Sequence, residues 1–331
     1  MVEAARGPAE LLEMLAPVAE NLDAVGAWMD ARFAEGPAVL QPLLAHAARF
    51  RGKRLRAAQV LLVARACGEV REEHVAVAGI IEMIHAATLV HDDLLDEATE
   101  RRGLDCMHVE WGPHAAVLLG DWIYASAFRA STDLEDQTCS RELSEATARV
   151  CAGEIHQNLT RRDFALSASD YYAQIDGKTA ALFASGGRLA AHYAGATSAM
   201  GEAAARHGLL AGRAFQVADD LLDLEGDPEA VGKSLGTDWA RGKMTLPLIL
   251  LRDALDAPAR ARMEELFASG AEASVLREDP FGAAYEKAAA ATRAETSRLL
   301  DDAAAHLSDL PDRETADRLA RLTRYLGSRD R

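Results

Sequence analysis

Between His74 and Glu97 the chain reads HVAVAGIIEMIHAATLVHDDLLDE, and before Asp92 nearly every helical position is apolar. A helix apolar on all sides belongs in a protein core, so the rest of the chain has to supply the helices that enclose it. Composition agrees: 49% of residues are hydrophobic and only 5% aromatic, with alanine and leucine abundant. That favours a large helical core over a sheet. An all-α bundle is therefore expected. No uninterrupted 18-residue apolar run is seen, so no membrane span is expected.

The buried helix ends in acid. Asp92 and Asp96 stand at i and i+4 and share a face, while Asp93 points about 100° away. Three carboxylates at a helix C-terminus repel one another and the dipole alike, so they are either a solvated surface or a site awaiting cations. A second copy favours the site. Asp219, Asp220 and Asp223 repeat the spacing among Phe215, Val217, Ala218, Leu221, Leu222 and Leu224. Carboxylates in apolar surroundings need a cation or a metal, so both motifs are expected to line one cleft. Oxygen-only ligands suit Mg²⁺, which is usually held by one or two carboxylates together with substrate phosphates. The implied ligand is a diphosphate, whose charge could approach six aspartates only with metal ions and basic side chains between them.

The formal net charge of −16 argues against nucleic-acid binding. Basic clusters are therefore local. Arg51, Lys53, Arg54 and Arg56 put four cations in six residues. This is either a solvated turn or an anion site, with Lys53 and Arg56 one turn apart on a helix beginning near Gly52. Arg101 and Arg102 read as cations closing the end of the acidic helix, with Gly103 as a turn. Lys178, among alanines, needs an anion. After a helix stop at Gly226 and Pro228 comes a glycine-rich loop with Gly232, Gly236 and Gly242, on which Lys233 and Lys243 bring cations beside the second aspartate cluster. Glu154 and Gln157 form a polar stripe that reads as core. The chain from Asp256 onward reads as packing, with no catalytic constellation. Cys67, Cys106, Cys139 and Cys151 show no CxxC pair and are expected to be free thiols. The first residues lack the basic flank and apolar stretch of a signal peptide, so a cytoplasmic protein is expected.

Taken together, GKRLR from Gly52 to Arg56, VHDDLLDEATERRG, DGKTA, FQVADDLLD and GKSLGTDWARGKMTLPL resemble, in order and spacing, the trans-isoprenyl diphosphate synthases of the polyprenyl synthetase family. The resemblance covers most of the chain. It implies one domain over residues 1–331, a helical bundle of the isoprenoid synthase type with a central active-site cavity, working as a homodimer. It also implies a prenyltransferase that condenses an allylic prenyl diphosphate with isopentenyl diphosphate. The six aspartates would then hold Mg²⁺, three ions per site. Arg101, Lys178, Thr179, Gln216, Lys233 and Lys243 would hold the allylic diphosphate, and Gly52, Lys53, Arg56, His85 and Arg102 isopentenyl diphosphate. His85 alone would read as a satisfied core histidine. Ala57 stands where the family usually has proline, and Leu104 to His108 depart from its usual proline-threonine pair. Residues four to eight before Asp92 would wall the hydrocarbon tunnel. Here they include Ile84, Ala87 and Thr88, with no aromatic, so a product longer than fifteen carbons is expected. The alternatives are a short-chain farnesyl or geranylgeranyl diphosphate synthase, a class I terpene cyclase, and a non-catalytic partner subunit.

Overall fold

The computed structural model describes residues 8–50, 52–225 and 236–327. The fold is all-α, as expected. Among the described residues the only sheet is a hairpin of β1 (Glu100–Arg101) and β2 (Leu104–Asp105). The helices are α1 (Pro8–Leu15), α2 (Ala19–Ala34), α3 (Gln41–Arg49), α4 (Leu55–Cys67), α5 (Glu72–Leu95), α6 (Met107–Trp111), α7 (Pro113–Thr132) and α8 (Thr138–Leu159). There follow α9 (Ala168–Ile175), α10 (Ala181–Tyr193), α11 (Ser198–Glu225), α12 (Thr237–Ala240), α13 (Leu246–Ala254), α14 (Ala257–Ser269), α15 (Gly282–Ala305) and α16 (Arg313–Gly327). Lys233, Gly232 and the turn at Gly226 and Pro228 lie outside the described residues.

The apolar stretch forms α5, and α2, α4, α7 and α10 pack around it. By length and composition α5 is apolar enough to cross a membrane, but 67% of its apolar window is buried inside the protein. It is the bundle's central helix. The second motif rides on α11, which lies against α10 with almost no side chain between them. A Cβ at Gly187 would strike the Ala204 carbonyl, and one at Gly208 the Phe183 carbonyl. Small residues at these crossings let the two backbones touch, which fixes where the second motif sits.

Three local departures from the sequence reading matter for the site. First, α4 begins at Leu55, and Arg54 before it has φ +49°, so Lys53 and Arg56 do not share a helix face. Second, α5 ends at Leu95, Glu97 takes φ +52°, and the arginine pair lies on the hairpin instead of closing a helix. Arg102 and Gly103 form its two-residue loop with φ +56° and +71°, positive at both positions as type I′ turns require. Third, Asp176–Ala180, DGKTA, is a π-helical turn, an irregularity frequent at functional sites.

Candidate active site

One cavity of about 2400 Å³ runs between α5 and α11. Its lining includes Gly52, Lys53, Arg56, His85, Thr88, Asp92, Asp93, Asp96, Arg101, Arg102, Lys178, Thr179, Gln216, Asp219, Asp223 and Lys243. Residues scattered over most of the chain thus meet in one space. Asp220 is buried behind the wall. Ile84 and Ala87 belong to the apolar core, whereas Thr88 lines the cavity together with His85, Ala86, Leu89 and Val90 of the same helix. The C-terminal third also does more than pack: Thr296, Leu300, Arg324 and Tyr325 line the cavity.

The carboxylates of the first motif differ in what holds them. Asp93 is almost fully buried and is clasped by Arg101, whose Nε donates at 2.9 Å to both oxygens and whose Nη2 donates at 2.6 Å to Oδ1. Asp96 accepts from Arg161 at 2.7 Å on Oδ1, while Lys243 at 3.2 Å and Arg241 at 3.4 Å approach Oδ2. Burial would raise its pKa, but Lys243 and Arg241 outweigh burial and hold it below the usual range. Asp92 has less support. Burial, with Glu154 and Asp96 adding repulsion, pushes it up to about 6 against the pull of Lys178, 3.9 Å away.

Lys178 stands on the π-turn, which packs onto α8 through facing glycines; a Cβ on Gly153 would lie 2.5 Å from the Lys178 backbone nitrogen. Glu154 at 2.5 Å and Gln157 at 3.1 Å hold the ammonium. The stripe expected to be core is therefore part of the site. Burial opposes the charge on Lys178, but Asp92 and Glu154 outweigh it and raise its pKa.

In the second motif, Tyr171 donates to Asp220 at 2.5 Å and Gln216 donates to its other oxygen at 2.8 Å, while Thr179 donates to Gln216. Burial, then repulsion from Asp238, pushes Asp220 up to about 8. Asp223 accepts from the Thr237 hydroxyl at 2.9 Å and from the Asp238 backbone at 3.0 Å, tying α12 to α11. Asp238 lies 3.8 Å from Lys243, and burial pushes it up to about 6 despite that cation. Asp219 faces the cavity.

A second set of cations lines the same cavity. Lys53 reaches the Tyr325 hydroxyl at 3.3 Å, Arg56 lies over the Phe183 ring, and Arg102 donates to the Phe50 carbonyl at 2.7 Å. A Cβ at Gly52 would lie 2.6 Å from the Arg102 guanidinium, so that glycine makes room for the arginine. Burial, with Arg56, Arg101 and Arg102 nearby, holds His85 well below its ordinary pKa. It is neutral at pH 7.

Sequence reasoning missed Arg161, Arg241 and Tyr171. Arg161 stands in an arginine pair, but nothing within its own stretch names the acid it meets. Among the described residues no group of three His, Cys, Asp or Glu side chains is arranged to hold a metal ion. The donor set nonetheless fits hard cations. It is all oxygen, and Asp92 and Asp219 face a space large enough for water and phosphate ligands.

A helical bundle whose central cavity gathers two aspartate motifs and several cations is built as a site for a charged ligand between helices. Comparison with known proteins agrees. The polyprenyl synthetase family profile matches residues 37–278. The all-trans-nonaprenyl-diphosphate synthase (geranyl-diphosphate specific) of Rhodobacter capsulatus is 35% identical over 259 residues, 78% of this chain and 79% of the relative. The polyprenyl synthase of Caulobacter crescentus CB15, solved with calcium and isoprenyl diphosphate, superposes with a TM-score of 0.85 at 30% identity, covering 99% of this chain and all of that one. The geranylgeranyl pyrophosphate synthetase of Pyrococcus horikoshii gives 0.85 at 25% identity, covering 96% of this chain and 98% of that one. The chain belongs to the polyprenyl synthetase family. It is a prenyltransferase, a trans-polyprenyl diphosphate synthase.

Proposed function

We propose that the enzyme joins an allylic prenyl diphosphate head to tail with isopentenyl diphosphate, depends on Mg²⁺, and makes products longer than fifteen carbons. One observation carries this reading: a single cavity brings both aspartate motifs together with Lys53, Arg56, Arg101, Arg102, Lys178 and Lys243. Lys178, Lys243 and Arg101, with Thr179 and Gln216 behind them, would hold the allylic diphosphate; Lys233 would join them. Lys53, Arg56, Arg102 and neutral His85 would hold isopentenyl diphosphate. Asp92, Asp96 and Asp219 would hold Mg²⁺, which when bound neutralises the diphosphate and makes it a better leaving group. The protein's own work is placement. Glu154 and Gln157 fix Lys178, Asp93 fixes Arg101, and apolar Phe183, Phe215 and Leu89 on the cavity wall keep water from the allylic cation. The isopentenyl double bond attacks that cation, and loss of a proton to the departing diphosphate completes the five-carbon extension.

An α5 wall without an aromatic supports the longer product. Exposed Val117 and Leu118 on α7, and Ile155 and Leu159 on the adjoining α8, support a homodimer through that face. Four free thiols fit a reducing compartment and hence the cytoplasm. The test is a mass-spectrometric product profile from purified protein, Mg²⁺, isopentenyl diphosphate and allylic primers of increasing length. Linear products beyond fifteen carbons are expected. A fifteen-carbon ceiling would overturn the length reading, a cyclic hydrocarbon would favour a cyclase, and no product with any primer would favour the partner subunit.

A further inference from the structure

Asp96 is surrounded by more positive charge than one carboxylate requires. Arg161 occupies Oδ1 at 2.7 Å, and Lys243 and Arg241 share Oδ2 at 3.2 and 3.4 Å. The arginine is built into place. Its turn is stitched to the Lys243 turn by the Arg162 backbone donating to the Gly242 carbonyl at 2.7 Å, and both residues take positive φ, +67° and +71°. Among the described residues the buried Arg161 Nε has no hydrogen-bond partner, so the guanidinium has donor capacity that Asp96 does not use. A cation that is to bind Asp96 through Oδ1 must first displace Arg161. Arriving alone, it leaves the guanidinium beside a second positive charge. Arriving with a diphosphate, it brings acceptor oxygens that a guanidinium fork matches in geometry.

We propose that Arg161 is a displaceable counter-ion of Asp96 that makes metal loading of the first motif depend on diphosphate, and so acts as a positioning residue. The inference rests on reading the cavity as a metal and diphosphate site. It predicts that the protein alone binds divalent cation weakly, and that diphosphate raises the affinity because it receives the released guanidinium.

The test is Mn²⁺ binding to the full chain, followed by electron paramagnetic resonance with and without inorganic diphosphate, in the wild type and in Arg161→Gln. In Arg161→Gln, Mn²⁺ alone should bind on the order of tenfold tighter, the scale of one charge-assisted hydrogen bond, and the enhancement by diphosphate should shrink. Unchanged or weaker Mn²⁺ binding in a variant that melts like the wild type overturns the inference. Should Arg161→Gln fail to fold, Arg161→Lys carries the same test. It keeps the charge but loses the planar fork, so Mn²⁺ alone should bind moderately tighter, and no change again overturns the inference. Turnover is scored separately. Tighter Mn²⁺ binding in a protein that makes no prenyl product would sink the enzymatic reading and leave this one standing; normal products with unaltered Mn²⁺ binding would do the reverse.

Discussion

Replacing Asp93 with asparagine separates the metal role that the sequence assigns to it from the anchoring role that the structure gives it. If Asp93 is a metal ligand, Asp93→Asn weakens divalent-cation binding in the absence of substrate. The structure gives both of its oxygens to Arg101, through contacts of 2.9, 2.9 and 2.6 Å. Removing one partner of a buried ion pair costs about 3–5 kcal/mol. Here Asp93 is 3% exposed but Arg101 is 29% exposed, so solvent recovers part of the guanidinium, and the amide oxygen still accepts one bond. The expected cost is therefore about 2 kcal/mol. It should appear as a lower urea midpoint with an unchanged slope. Kinetically, an Arg101 released from its anchor should raise the KM for the allylic diphosphate about tenfold, an effect of about 1.4 kcal/mol, while Mn²⁺ affinity stays put. Unchanged stability combined with lost Mn²⁺ binding would refute the anchoring argument and return Asp93 to the metal.

Other expectations follow from crowding and burial. At Gly177 a Cβ would lie 2.5 Å from the Arg149 carbonyl oxygen and 3.0 Å from the Gly153 Cα; Gly177→Ala should cost about 1–3 kcal/mol and, by moving Lys178 about 1 Å, lower kcat/KM about 100-fold. Wild-type kinetics would show that the π-turn does not position the lysine. Thr88→Phe should shorten the product, whereas Ala87→Phe, in the core and off the cavity, should lower stability by about 1–3 kcal/mol without shortening it; product profiles and melting curves of the two variants decide. His207 is fully buried between the Ala303 carbonyl and Thr323, and burial holds its pKa down at about 4 against an ordinary 6.5. Below 6.5 the unfolded chain takes up a proton that the folded one refuses. Stability from this group is thus complete above pH 6.5 and falls as pH drops toward 4, by on the order of 3 kcal/mol. Urea titrations at pH 7 and pH 4.5 should show a smaller loss in His207→Gln, and equal losses would show that His207 does not contribute.

The all-α fold and the meeting of two aspartate motifs were legible because each depends on local pattern: an apolar helix with an acidic end, and a repeated i, i+1, i+4 spacing. Backbone turns were less legible. Nothing in ERRGLD marks Arg102 as a positive-φ residue, since arginine has no preference for that region; the hairpin closes because Gly103 follows it and the Phe50 carbonyl receives its guanidinium. The start of α4 was missed for the same reason, with Arg54 held at φ +49° while its guanidinium donates to the Leu22 carbonyl at 2.6 Å. Tertiary pairing was illegible altogether. Glu154 looked like core because its cation, Lys178, is contributed by a turn from elsewhere in the chain. Arg161 meets Asp96 across 65 positions, and no pattern local to either residue records that.

The i, i+1, i+4 spacing divides the labour the same way in both motifs. The first carboxylate, Asp92 or Asp219, faces the cavity. The second turns into the wall and anchors what lies there: Asp93 holds Arg101, and Asp220 accepts from Tyr171 and Gln216. The third reaches forward to one short segment shared by both. Asp96 meets Arg241 and Lys243, while Asp223 receives Thr237 and the Asp238 backbone. Residues 236–243 therefore bridge the two motifs, with Lys243 lying within 4 Å of both Asp96 and Asp238. Two acidic clusters that would repel if merely placed face to face are joined by a turn that gives the first its cations and the second hydroxyl and amide donors. That is why the second motif cannot be understood as a mere duplicate of the first.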